Sequence, residues 1–155
     1  MNDLQPLMAL LGQAESERDD ARMHSQRQAA AHRTAAAQVE QLLEYRRDYE
    51  ARWGEHFSRQ SKVELLRCYQ GFIERLTQAI EQQRLAAAHA ETQAVAAAAA
   101  LQVSELRVAS VRKLIARRVA EQQLSLDRRE QKQTDEFAAR AAWQRPSNFG
   151  SLSIR

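Results

Sequence analysis

Apolar and small residues recur at alternating spacings of three and four along nearly the whole chain, and that periodicity leaves few folds open. Leu4, Leu7, Leu11, Ala14, Arg18, Ala21, Ser25, Gln28, His32, Ala35, Val39, Leu42, Arg46, Tyr49 and Trp53 can be counted as one unbroken heptad register. A second register runs through Leu66, Tyr69, Ile73, Leu76, Ile80, Gln83, Ala87, Ala90, Ala94, Ala97, Leu101, Ser104, Val108 and Val111. Each is the stripe that a helix presents to one partner helix. Gly54 is expected to stop the first helix, because glycine tolerates the left-handed conformation of a helix C-cap. Ser61 and Glu64 have the spacing of a capping box, which would open the second.

The two registers mirror each other. Both are strongly apolar at their ends and small or polar in the middle. Folding the chain near Phe57, so that position i meets position 115 minus i, pairs Tyr49 with Leu66, Leu42 with Ile73, Ala21 with Ala94 and Leu7 with Val108. Large layers then meet large layers, and the weak middle of the first helix meets the alanine run of the second. This predicts an all-α fold, a long two-helix antiparallel coiled-coil hairpin, rather than a parallel dimer. Residues 1–143 form the hairpin in this reading, with helix one over about 3–55, a turn over about 56–61, helix two over about 62–143, and a disordered tail at 144–155. From about Arg112 the second helix has no partner left in the first and overhangs. A buried methylene is worth roughly 0.8 kcal/mol. The alanine layers, weakened further by Arg18, Ser25, Gln28 and His32, should therefore be the least stable section.

Composition agrees with rods rather than a globule. Only 6% of the 155 residues are aromatic, and much of the 44% apolar content is alanine, which fills little core. The net charge of +3 comes from interspersed acids and bases. Asp48 and Arg52 stand at the favourable i, i+4 spacing. No basic block precedes the heptads, so a nucleic-acid footprint is not indicated. The lone Cys68 excludes an intrachain disulfide. The longest low-polarity tract, Ala94 to Leu101, falls short of a bilayer span, and no signal peptide opens the sequence.

Catalytic chemistry finds no foothold. His24, His32, His56 and His89 lack ligand spacing, Cys68 has no base near it in sequence, and no glycine-rich phosphate loop exists. Acidic pairs such as Asp19-Asp20 fall on solvated helix faces with no cleft to shift their pKa values. The reading is therefore no enzyme, no cofactor and no metal. The aromatics say more. Gln38, Leu42, Tyr45 and Tyr49 share one face of helix one, while Phe72, Leu76, Ala79 and Gln83 share one face of helix two. A two-helix seam cannot cover both Tyr45 and Phe72 besides its own heptad residues. Part of the cluster should stay exposed near the turn as an apolar patch for a partner.

The segment Leu42-Leu43-Glu44-Tyr45-Arg46-Arg47-Asp48-Tyr49, followed by Cys68-Tyr69-Gln70-Gly71-Phe72-Ile73-Glu74-Arg75-Leu76 and Ala79-Ile80-Glu81-Gln82-Gln83, closely resembles the bacterial flagellar export protein FliJ family. Arg112-Lys113-Leu114, Glu130, Lys132 and Asp135-Glu136-Phe137-Ala138 look like that family's C-terminal pattern. The resemblance implies an antiparallel coiled coil similar to the central stalk of rotary ATPases. It implies a cytoplasmic, non-enzymatic part of the type III export apparatus that inserts into the hexameric ring of the export ATPase FliI. It further implies contact with the cytoplasmic linker of the export gate protein FlhA, at the cytoplasmic face of the inner membrane, and the escort of unloaded export chaperones. The family's gate-binding face maps onto Gln38, Leu42, Tyr45, Tyr49, Phe72, Leu76, Ala79 and Gln83. The ATPase-facing part would be the opposite end, where Leu4 to Ala21 pairs with Ala94 to Val111. Rival readings are the equivalent stalk of a virulence injectisome and a generic coiled-coil chaperone or tether.

Overall fold

The computed structural model describes residues 4–59 and 62–145. Two helices account for almost all of them: α1, Leu4–Arg59, and α2, Val63–Gln144. At 1.5 Å per residue they are about 84 Å and about 120 Å long. They lie antiparallel along one seam, and among the described residues there is no strand.

The seam is the predicted one, face for face. Every member of the first heptad register is buried or half-buried, and so is every member of the second except Leu66. Burial is deepest near the two ends of the seam, at Ala14, Val108 and Val111 on one side and at Val39, Leu76 and Ile80 on the other. Only Ala97 is fully buried between them. Between them the seam residues are small or polar and enclose little apolar volume.

The bend lies elsewhere than expected. α1 runs straight through Gly54 to Arg59, and no glycine among the described residues takes a positive φ. The innermost helical residues, Arg59 and Val63, each lie two positions from residue 61, so position i faces twice 61 minus i, that is 122 minus i. The contacts agree. The rings of Trp53 and Tyr69 meet at 6.0 Å, Tyr49 and Phe72 at 4.4 Å, and Gln83 Nε2 donates to Gln38 Oε1 at 2.7 Å. The expected pairing is thus displaced by one heptad. Tyr49 lies against Tyr69 and Phe72 rather than Leu66, which is 42% exposed. On the 122 mirror Ala14 faces Val108, Leu11 faces Val111, Leu42 faces Ile80 and Leu7 faces Ile115. A slip of seven residues keeps every side chain on its face, so periodicity alone could not place the bend.

The same displacement lengthens the paired section. Arg112 Nη2 donates to Glu15 Oε1 at 3.1 Å, Val111 is buried, and Leu114 and Ile115 are still half-buried. The overhang therefore begins after Ile115 rather than at Arg112, and residues 116–145 are all exposed. Arg107 bridges the helices to Glu17, also at 3.1 Å. Both cross-helix ion pairs are solvent-accessible and contribute about 0–1 kcal/mol each.

Lys62 caps α2 with extended backbone angles and no side-chain bond, and Glu64 places a carboxylate in the first turn. The expected cap Ser61 lies outside the described residues, as do positions 146–155 of the expected tail; Gln144 still belongs to α2. α2 also contains an 18-residue window with mean hydropathy 1.3, apolar enough by length and composition to cross a membrane. That differs from the shorter tract read in the sequence. Alanine raises the mean without supplying large side chains, and in the hairpin this part of α2 sets Ala94, Ala97 and Leu101 against α1.

Candidate partner-binding site

The eight residues expected to form a binding face come together on the bend half of the hairpin because each quartet lies on one helical face and the two faces adjoin across the seam. Gln38 and Gln83 bridge the helices at the far edge through their amide hydrogen bond. Leu42 is half-buried and Leu76 is buried at 8% exposure, so both are chiefly seam residues. Tyr49 is half-buried between Tyr45, Tyr69 and Phe72. Tyr45 is 52% exposed, and Ala79 is exposed. Phe72 is half-buried with Tyr45 edge-on to it at 6.3 Å. Part of the cluster stays open, as expected: Tyr45 is about half exposed and Phe72 half-buried.

This cluster is one end of a longer aromatic run that continues through Trp53 and Tyr69 to Phe57. Tyr49 stacks on Tyr69 at 5.8 Å, Trp53 lies 5.8 Å from Tyr49, and Phe57 lies 5.3 Å from Trp53 and 5.4 Å from Tyr69. A helix stop at Gly54 would put Phe57 in the turn, but α1 continues to Arg59 and keeps Phe57 helical. Its spacing of four from Trp53 was the available signal. Aromatic pairs of this kind add about 0.5–1.5 kcal/mol each beyond burial, so the bend end is firmly held. Burial first, then the negative charges of Glu50 and of Tyr49 when ionised, push the Tyr69 phenol above its ordinary pKa.

Among the described residues no three His, Cys, Asp or Glu side chains converge to hold a metal ion. Cys68 is exposed. His32 sits half-buried on the seam with its Nδ1 enclosed and without a hydrogen-bond partner, another weakness of the middle section.

The family model for the flagellar FliJ protein matches residues 3–147, which spans both helices and the bend. The chain belongs to the FliJ family. No curated protein and no solved structure matches it. As a FliJ family member it is a component of the flagellar type III protein export apparatus and serves flagellum biogenesis and motility. The hairpin and the family assignment agree: FliJ proteins are non-catalytic parts of that machinery.

Proposed function

We propose that this FliJ family protein is a coiled-coil stalk that links the export ATPase to the export gate on the cytoplasmic side of the inner membrane, and that it also escorts export chaperones. The observation that carries the gate contact is the Tyr45–Tyr49–Phe72 cluster, assembled from both helices and left partly open to solvent. An exposed aromatic patch beside a rigid seam suits a helix-in-groove or linker contact. Gln38, Leu42, Leu76, Ala79 and Gln83 frame it, with Leu42 and Leu76 supporting the patch from the seam. The opposite end, where α1 begins and α2 continues unpartnered, is assigned to the ATPase ring.

Such a stalk makes and breaks no substrate bonds. It acts by binding one conformation of the ring more tightly than the others, which shifts the population by the difference in affinity. The test is capture of the export ATPase FliI and of the cytoplasmic part of FlhA by the full chain. Tyr45→Ala with Phe72→Ala should weaken capture of the gate by at least about tenfold, as loss of a hot-spot aromatic does, and leave capture of the ATPase unchanged. Unaltered gate capture and motility would favour a plain tether instead.

A further inference from the structure

α2 carries a second apolar stripe, on the side turned away from α1. Residues of a helix advance by about 100° each, so Leu85, Ala88, Val95, Ala99, Val103 and Leu106 share the face opposite the seam residues Ala94, Ala97 and Leu101. All six are exposed, the four larger ones between 64% and 72%. From Thr92 to Ser104 no residue is charged. The 18-residue apolar window of α2 is only 17% buried, so the seam covers little of it. Among the described residues nothing else matches this face. The exposed large apolar side chains of α1, Met8, Met23 and Tyr45, stand singly, and those of the overhang are interspersed with charges.

The stripe is its own mirror image. About a point between Val95 and Ala96, position i answers to position 191 minus i: Leu85 to Leu106, Ala88 to Val103, Thr92 to Ala99 and Val95 to Ala96. Two such faces laid antiparallel interdigitate about one two-fold axis, with leucines meeting at both ends and small residues near the centre. Charge sets the direction. Glu81 closes the stripe at one end, and Lys113 closes it at the other with Arg107 on its flank. Antiparallel copies bring Glu81 opposite the second copy's Ser110, one turn from both Arg107 and Lys113. Parallel copies would set Glu81 against Glu81 and Lys113 against Lys113. Glu81 also holds Arg84, and Arg107 holds Glu17, both in solvent-accessible pairs to which a further partner can be added. Glu91, Glu105 and Arg112 lie on the flank nearer α1 and stay off the stripe.

We propose that this stripe binds the same stripe of a second copy, antiparallel, α2 against α2, about a two-fold axis between Val95 and Ala96. The contact runs from Glu81 to Lys113, roughly 48 Å of helix. One helix against one helix is a small interface, so the pair forms as concentration rises and the dilute chain is single. The stripe faces away from the Tyr45–Phe72 patch and ends before the overhang, so this contact is additional to those of the proposed stalk.

The test is sedimentation of the full chain from about 1 μM to about 1 mM. The chain should pass from monomer to dimer and no further. Val95→Glu places two carboxylates at the axis and should weaken pairing at least about a hundredfold. Val95→Lys should do the same, and a mixture of the two variants should recover the dimer. Val95 is exposed, so circular dichroism should show both variants as helical as the parent. Direction is read separately, with the exposed Cys68 replaced by Ser. On oxidation, Leu85→Cys and Leu106→Cys chains should cross-link to each other and not to themselves. A chain that stays monomeric throughout, or a dimer indifferent to Val95→Glu, would overturn the proposal. So would Leu85→Cys cross-linking to itself, which marks parallel copies. Flotation of a monomeric chain with phosphatidylcholine vesicles, lost in Val95→Glu, would overturn it in favour of a membrane surface.

Discussion

Ile80 is the side chain on which the stability of the bend end can be tested most directly. It is 1% exposed and is the largest fully buried side chain among the described residues. Ile80→Ala removes three carbon groups, worth about 2.4 kcal/mol at roughly 0.8 kcal/mol each, plus a cavity term. In a two-helix seam the neighbours can close on the void, so the total should sit in the lower half of the range of about 2–5 kcal/mol known for such truncations. Urea unfolding followed by tryptophan fluorescence reads this section, because Trp53 is packed in the aromatic run whereas Trp143 is 91% exposed. Leu85→Ala, at a position 72% exposed, should change stability by less than about 0.5 kcal/mol and serves as the control. The partner of Ile80 distinguishes the two possible bends. With the mirror at residue 61 it faces Leu42, so Leu42→Ala and Ile80→Ala should couple by at least about 0.5 kcal/mol in a double-mutant cycle. Additive losses, or a stronger coupling to Ala35→Gly, would refute the observed register and restore the one with its bend near Phe57.

Three further outcomes follow from particular residues. Gly54→Ala should stabilise the protein by about 0.5–1 kcal/mol in thermal melts, since Gly54 lies inside α1 and an added Cβ meets nothing within 4 Å; destabilisation would mean that the helix does break there. Tyr69 has its pKa raised in the folded state, so the unfolded chain loses the proton first as pH climbs past the ordinary tyrosine value of 10.0, and stability should fall from there up to the folded pKa. Below that window the phenol contributes no pH dependence, and Tyr69→Phe should flatten the alkaline fall in melting temperature. Amide exchange should be faster over residues 18–32 of α1 than over 39–49, because the former face alanine and serine layers and include the unpartnered His32 Nδ1; equal protection would contradict the account of the weak middle.

The faces of this hairpin were legible in the sequence and its bend was not. Residue by residue, the three-four spacing located the seam from Leu4 to Trp53 and from Tyr69 to Val111, because a helix offers only one narrow stripe to one partner. The position of the turn is a different kind of information. Heptads are degenerate under a seven-residue slip, so only a breaker can fix the register, and Gly54 looked like one. In an otherwise strong helical context it costs about 1 kcal/mol, too little to end a helix that gains a further aromatic layer from Phe57. Leu66 then lost its place on the seam and Leu65 became half-buried instead. The candidate surface survived this error because its residues were grouped by face within each helix, and the Gln38–Gln83 and Tyr49–Phe72 contacts form in the displaced register. What the grouping could not rank was depth: Leu76 and Ala79 share a face, yet one is buried and the other open.

The unpaired stretch of α2 beyond Ile115 has a mechanical consequence. A double rod resists flexing far more than a single strand of the same material, so any sideways load on the far tip will be taken up where the section halves. Local bonds such as Gln123 to Asp127 and Gln131 to Asp135 keep that strand wound without stiffening it sideways. The molecule is in effect a firm shaft with a supple whip at one end. In the proposed stalk, misalignment between partners held at the two extremities would be absorbed in the whip, leaving the aromatic end in a fixed pose.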